Sequence, residues 1–325
     1  MKKLIIQIPC YNEEKTLPVT LKEIPRKIEG IDQVEILVID DGSTDRTFEV
    51  ARNNGVDHIV KLTNNKGLAE GFLTGLDACL RLGADVIVNT DGDNQYNGAD
   101  IQKLIEPIIK GKADIVVGNR QVDKIEHFSV VKKKLQNVGS WVVRQLSGTK
   151  IPDTTSGFRA FSREAALKLN VVSKFSYTLE TIIQAGKKNL AITHVPVATN
   201  NKLRESRLFK STLNYIKRSI ATIIRIYTMY EPIKTFFLIG GVIFSGGLIL
   251  SVRYLYFYFF TPFGGKGHIQ SLILAAVLFI VGFQVMVIGL LSDVIAANRR
   301  LLEDTLYRVK KLELKDNKNN NQEKE

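Results

Sequence analysis

The chain has 325 residues, enough for one catalytic domain with an appendage or for two domains. Lysine and arginine outnumber aspartate and glutamate by 45 to 33, a formal charge of +12 with a pI of about 9.5, which favours anionic partners such as nucleic acid, phosphate-bearing substrates or the inner leaflet of a membrane. Only two cysteines occur, Cys10 and Cys79, both in apolar segments, so there is no disulfide framework and no zinc spacing; the scattered His58, His127, His194 and His268 support neither a histidine metal cluster nor Ser/His machinery.

The opening MKKLIIQIPC carries an apolar run broken by Gln7 and Pro9, with no small-residue cleavage site. It predicts a buried first strand in a catalytic region that stays in the cytoplasm. Short β-branched runs (LIIQI, EILVID, HIVKL, DVIVNT, DIVVGN) then alternate with amphipathic stretches at residues 13–28 and in TDRTFEVARNNG, GLAEGFLTGLDACLRLG and ADIQKLIEPIIKG, two of which close on Gly55 and Gly83. Strand and helix in alternation predict an α/β fold with a mainly parallel sheet.

In open sheets of this kind ligands bind beyond the carboxyl ends of the strands, so the clusters PCYNEE, DDGSTD, DGDNQ and GNR should converge on one cleft. Singly, each has a plain structural explanation: Asp45 can cap a helix, Asp40 and Asp41 can form a turn with Gly42, and Asp91 and Asp93 can be a polar strand end. Together, carboxylates crowded at one edge repel unless a cation or donor groups offset them. GLAEGFLTG is not G-x-G-x-x-G and no G-x-x-x-x-G-K-[ST] occurs, which weighs against a nicotinamide cofactor or a P-loop. Magnesium binds through one or two carboxylates plus substrate phosphates, so Asp91, Asp93 and Gln95 read as a metal bridge, for Mg2+ or Mn2+, to a nucleotide diphosphate.

Taken in order, IPCYNEE, VIDDGSTD, NTDGDNQ, VGNR and DTTSGFRAF resemble the successive motifs of family 2 glycosyltransferases with the GT-A fold, specifically the dolichyl- and polyprenyl-phosphate sugar synthases. The resemblance implies that Pro9, Tyr11, Glu13, Asp40 and Asp41, with Asp91, hold the nucleotide, and that Asp91, Asp93 and Gln95 hold the metal and diphosphate. It further implies that Arg120 and Lys133 bind the acceptor phosphate, with Arg204 in KLRESRL as a third cation beside Lys202 and Arg207; Arg204 stands where the family pattern has glycine. Asp153 is an extra catalytic carboxylate or a loop cap, and Glu180 in FSYTLET resembles a position near the sugar.

Residues 235–260 and 269–291 are each long and apolar enough to cross a hydrocarbon core of about 30 Å, against the alternative of a buried helix pair in a soluble domain. Arg253 stands near the end of the first span beside YLYFYFF, from which it can snorkel. Lysine and arginine crowd both outer flanks, whereas the connecting TPFGGKGH has only Lys266, so the flanks, the catalytic domain and the tail are expected on the cytoplasmic side. The expected organisation is a GT-A catalytic domain at 1–206, an amphipathic juxtamembrane helix at 207–232, a transmembrane hairpin within 233–297 and a basic tail at 298–325 with a disordered end.

The expected function follows: an inverting, metal-dependent glycosyltransferase that moves a sugar from a UDP- or GDP-linked donor to a membrane polyprenyl phosphate, with Asp93, Arg120 and Asp153 as catalytic candidates. A phosphate monoester, with a second pKa of about 6, is largely dianionic at neutral pH and needs no general base, unlike a sugar hydroxyl. Two alternatives stand beside it: a transferase acting on a sugar hydroxyl, with Asp153 as its base, and a catalytically inactive membrane scaffold. The expected partners are the nucleotide sugar, the polyprenyl phosphate and the inner leaflet, with the transmembrane helices as a surface for homo-oligomers and no nucleic acid.

Overall fold

The computed structural model describes residues 1–121, 130–173, 177–201, 212–262 and 268–322. Chain contacts divide it into two units, one of Met1–Ile223 with Asp304–Glu325 and one of Ile224–Glu303.

In the first unit every apolar run expected as a strand is one: β1 (Lys3–Cys10), β2 (Gln33–Asp40), β3 (His58–Lys61), β4 (Val86–Asn89) and β5 (Ile115–Asn119). The intervening helices are α1 (Leu17–Glu23), α2 (Thr47–Asn53), α3 (Leu68–Arg81) and α4 (Ile101–Ile109). Gly55 and Gly83 follow α2 and α3 at φ +71° and +84°, the left-handed cap conformation that glycine adopts without penalty. Leu4, Ile6, Ile8, Ile36, Val38 and Val88 are fully buried, as strands covered on both faces require.

The sheet order is β3-β2-β1-β4-β6-β5-β7, where β6 is Arg159–Ser162 and β7 is Ile192–Pro196. The order reverses between β1 and β4, the topological switch point at which open sheets leave a crevice. β6 runs antiparallel to both β4 and β5. It therefore starts at the edge where the parallel strands end, and residues 153–158 enter the same rim as the segments after β4 and β5. Helices α5 (Val130–Ser147), α6 (Arg163–Lys168) and α7 (Tyr177–Lys187) complete this layer, and α8 spans Thr212–Tyr230.

α9 (Pro232–Phe260) and α10 (Ile269–Gln322) are long and apolar enough to cross a membrane. Within the second unit Gly240 lies against the Gly282 carbonyl and Met286, and Gly247 against the Ala275 carbonyl, so absent side chains let the two backbones approach closely. Leu238 and Ile249 are 70% and 68% exposed, which a soluble helix pair burying its apolar surface would not tolerate.

The tail corrects one expectation. α10 continues to Gln322, well into the polar end expected to be disordered. Tyr307 donates to Glu164 at 2.7 Å, Lys310 to Asn170 at 3.2 Å, and Glu313 lies 3.7 Å from Arg81, so tertiary contacts within the first unit hold the helix as far as Glu313.

Candidate active site

The loops after β1 and β2 are laced into one piece. Asn12 N donates to Ser43 Oγ at 3.0 Å, Thr44 N to Asn12 Oδ1 at 2.8 Å, and Glu13 N to Thr47 Oγ1 at 2.8 Å. Asp45, one residue before the α2 N-cap Arg46, accepts from Thr47 N at 2.9 Å and from Glu14 N at 3.2 Å, so it ties the start of α2 to the loop after β1. Gly42, at φ +66°, passes so close to the β3–α3 connection that a Cβ would stand 2.4 Å from the Asn64 carbonyl carbon. Gly42→Ala is expected to destabilise the first unit by about 1–3 kcal/mol through backbone strain, and more if the neighbouring loop cannot move. An unchanged melting temperature would contradict that role.

The two leading carboxylates of DDGSTD do different things. Asp41 accepts from Lys66 N at 2.7 Å and Gly67 N at 2.9 Å, and so braces the loop before α3; burial pushes its carboxyl up despite those bonds. Asp40 is fully buried and accepts from Ser43 N at 2.9 Å through Oδ1, while Oδ2 has no hydrogen-bond partner among the described residues. An orphaned buried carboxylate oxygen is costly in a finished core and in keeping with a ligand-binding cleft. Of the other residues expected to hold a nucleotide, Pro9 is half-buried, Tyr11 is exposed, and Glu13 is buried and accepts from Thr16 Oγ1 at 2.6 Å.

After β4 the chain alternates strictly between half-buried Asp91, Asp93 and Gln95 and buried Gly92, Asn94 and Tyr96. This puts the three expected metal-binding side chains at the more accessible positions. Burial, then the charges of Glu13, Asp40, Asp91 and Asp93, push the Cys10 thiol well up, so carboxylates from three loops act on one point. Among the described residues no three His, Cys, Asp or Glu side chains are grouped to hold a metal by themselves. Two carboxylates and an amide oxygen in a negative field nevertheless fit a hard divalent cation that takes its other ligands from phosphate and water. Gly157 supports that fit: a Cβ there would stand 3.1 and 3.2 Å from the Asp91 oxygens, so glycine keeps the space beside the carboxylate open.

Arg120 and Asp153, expected to act separately, form one buried ion pair. Arg120 Nε donates to Asp153 Oδ2 at 2.7 Å and Nη2 to Oδ1 at 2.9 Å, with Thr155 Oγ1 2.8 Å from Nη2. Nη1 makes no hydrogen bond among the described residues. Burial opposes both charges, but each partner stabilises the other, so Asp153 is held below the usual carboxylate range and Arg120 above its own. A carboxylate bonded at both oxygens by one guanidinium is a poor proton acceptor, and the two contacts hold the Arg120 side chain in place.

Glu180 is 1% exposed and accepts from Val172 N at 3.0 Å and Ser173 N at 2.9 Å, tying a loop to α7. Lys133 is half-buried in the first turn of α5; Lys202, Arg204 and Arg207 lie outside the described residues.

A polar network that motif reading passes over positions the rim. Gln7 Nε2 donates to Asn89 Oδ1 at 2.8 Å, Asn89 Nδ2 donates to the Gly157 carbonyl at 2.9 Å and to Tyr177 Oη at 2.8 Å, and Gly157 N donates to Tyr96 Oη at 3.0 Å. Burial is the main reason that the Tyr96 phenol is pushed up to about 12, so it stays neutral. Fully buried Arg159 donates to the carbonyls of Thr154, Ser156 and Thr178 at 2.8 to 2.9 Å and has its pKa lowered by burial to about 10. The signal in the sequence is Gln7 and Asn89 themselves, polar residues inside apolar strands.

Residues 5–169 match the family model for glycosyl transferase family 2. A UDP-N-acetylglucosamine–dolichyl-phosphate N-acetylglucosaminyltransferase of Methanococcus voltae is 32% identical over 61% of this chain and 86% of its own length. Glycosyltransferase AglJ of Haloferax volcanii is 27% identical over 95% and 97%. Glucosyl-3-phosphoglycerate synthase of Mycobacterium tuberculosis, solved with Mn2+, UDP-glucose and phosphoglyceric acid, shares the fold with a TM-score of 0.55 at 20% identity over 70% of this chain and 80% of its own. With an α/β sheet of the GT-A kind and a family model matched over residues 5–169, the chain belongs to glycosyl transferase family 2. It is a glycosyltransferase, and the fold expected from its motifs is the fold observed.

Proposed function

We propose that this glycosyltransferase transfers a sugar from a nucleotide sugar to the phosphate of a membrane polyprenyl phosphate, with inversion at the anomeric carbon. The observation that carries the reading is Arg120: a buried guanidinium fixed at two nitrogens by Asp153, with Nη1 left over, beside the acidic segment of Asp91. That is a rigid anion handle next to a cation site. Relatives named for dolichyl-phosphate and undecaprenyl-phosphate transfer support the acceptor, the two long apolar helices support a membrane location, and the lysine- and arginine-rich flanks support a cytoplasmic first unit.

In this reading Pro9, Tyr11, Glu13 and Asp40 receive the nucleoside, with Asp40 Oδ2 accepting from an N–H or O–H of the ligand. Asp41 shapes the same loop from behind. Asp91, Asp93 and Gln95 hold Mg2+ or Mn2+, which when bound neutralises the departing diphosphate. Arg120, with Lys133 and Arg204, receives the acceptor phosphate, and Asp153 keeps Arg120 aimed. An oxygen of the phosphate dianion attacks the anomeric carbon while the bond from that carbon to the nucleoside diphosphate breaks, and the diphosphate leaves with the electron pair. No proton has to be removed, which suits a site where the Asp153 carboxylate is committed to an arginine.

Purified protein incubated with labelled UDP- and GDP-sugars is expected to label polyprenyl phosphate in the organic phase with one of the donors, and free polyprenol with none. Equal labelling of the free alcohol would sink the phosphate acceptor. Topology is separately testable: a tag within residues 263–267 should be labelled from outside the cell and a C-terminal tag should not, whereas both tags on one side would refute the hairpin.

A further inference from the structure

We infer that the exposed face of α5 is a membrane-contact surface of the catalytic unit, with Trp141 as its anchor at the headgroup level of an anionic bilayer. Trp141 is the only tryptophan in the chain and is 54% exposed; Val138, one turn before it, is 60% exposed. Exposed Asn137 and Gln145 extend the same stripe at helical spacing, while Ser140, Val143 and Ser147 on the other face are buried. That buried face is anchored to the site: Ser140 Oγ stands 3.1 Å from Thr154 Oγ1 and accepts from Thr154 N at 3.3 Å, next to Asp153. One helix thus has one face on the loop that aims Arg120 and the other in solvent, carrying an indole and an isopropyl group.

Charge selects the occupant. From residue 130 to 152 the chain has Lys132, Lys133, Lys134, Arg144 and Lys150 and no aspartate or glutamate. A partner must offer negative charge and an apolar layer within reach of the same stripe. A leaflet containing anionic lipid offers both, with indole placed at the interface and basic residues drawn to the surface potential. A second copy of the chain would bring the same cluster of positive charges to the contact. A surface of this kind would set the site at the depth where a lipid phosphate resides. The inference rests on the membrane reading of α9 and α10 and not on the chemistry of transfer.

The single tryptophan makes the test direct. Full-length protein reconstituted into phosphatidylcholine–phosphatidylglycerol vesicles is expected to lose tryptophan emission when the phospholipids are brominated along the acyl chain near the headgroup. Aqueous acrylamide should quench it weakly. Val138→Glu alters an already exposed side chain and is expected to reverse the order, with less quenching by bromolipid and more by acrylamide. Strong acrylamide quenching with none from bromolipid would overturn the inference. So would protection from both quenchers that grows with the protein-to-lipid ratio, because that would assign the face to a second copy, and so would a Val138→Glu variant quenched like wild type. Because emission is read rather than turnover, failure here leaves the proposed reaction standing, and an inactive acceptor assay leaves this surface standing.

Discussion

Asp93→Asn is expected to reduce sugar transfer to background while leaving the melting temperature near that of wild type. Asp93 is half-buried at a strand end, so no core packing is lost, and asparagine can still accept from Gln95 N, which stands 3.2 Å from Asp93 Oδ1. What disappears is one of the two charges that a divalent cation needs when its remaining ligands are phosphates and water. Binding of Mn2+ in the presence of nucleoside diphosphate, followed by calorimetry, should weaken in parallel with the rate. Turnover near wild type with saturating magnesium or manganese would refute the metal role.

Arg120→Ala should raise the apparent KM for polyprenyl phosphate by about one to two decades, the range that corresponds to roughly 1.5–3 kcal/mol for a hydrogen bond to a charged group, with little change for the nucleotide sugar. Lysine keeps the charge but not the planar fork that Asp153 grips at two points, so Arg120→Lys should recover only part of the loss. Asp153→Asn should raise the same KM although Asp153 need not touch the phosphate, because it frees Arg120 to turn. Breaking a buried pair from one side also costs stability, typically about 3–5 kcal/mol, so melting temperatures belong with the kinetics.

The pH dependence of that cost has a definite sign. Asp153 is depressed in the folded protein, so the pair's contribution is fully present above the unfolded carboxylate pKa of about 3.9 and is lost as pH falls through the lower folded value. In Arg120→Ala burial acts on Asp153 without its partner and raises its pKa. The stability gap between variant and wild type should therefore narrow on acidification. A variant that changes only nucleotide-sugar binding would remove Arg120 from the acceptor site.

Sequence periodicity was sufficient for β1 to β5 because each is a short apolar run bounded by turn residues, but it passed over β7, the parallel edge strand, whose ITHVP is polar in part and only partly buried. It was insufficient for β6, whose four residues lie inside a motif dense with polar groups and whose antiparallel direction depends on partners more than forty residues away. The acidic rim was legible because its residues follow strands directly. The division of labour within it was not: whether a carboxylate meets a backbone amide, as Asp41 and Glu180 do, or an arginine, as Asp153 does, is set by loops that sequence does not fold. The same holds for Gln7 and Asn89, whose hydrogen bond joins positions 82 residues apart. Helix α10 is held by Tyr307, Lys310 and Glu313 through tertiary contacts that periodicity cannot show, and it runs on from there into the polar end.

The central claim is that the new bond is made at a phosphate oxygen, and titration of the product's phosphorus tests it most directly. A phosphate monoester loses its second proton with a pKa of about 6, and its 31P resonance moves accordingly; a diester has no such proton. After reaction with polyprenyl phosphate and the active nucleotide sugar, the account predicts a lipid product whose 31P shift is flat between acid and neutral pH. A glycosylated lipid whose phosphorus still titrates near 6 would place the sugar on a hydroxyl and contradict it.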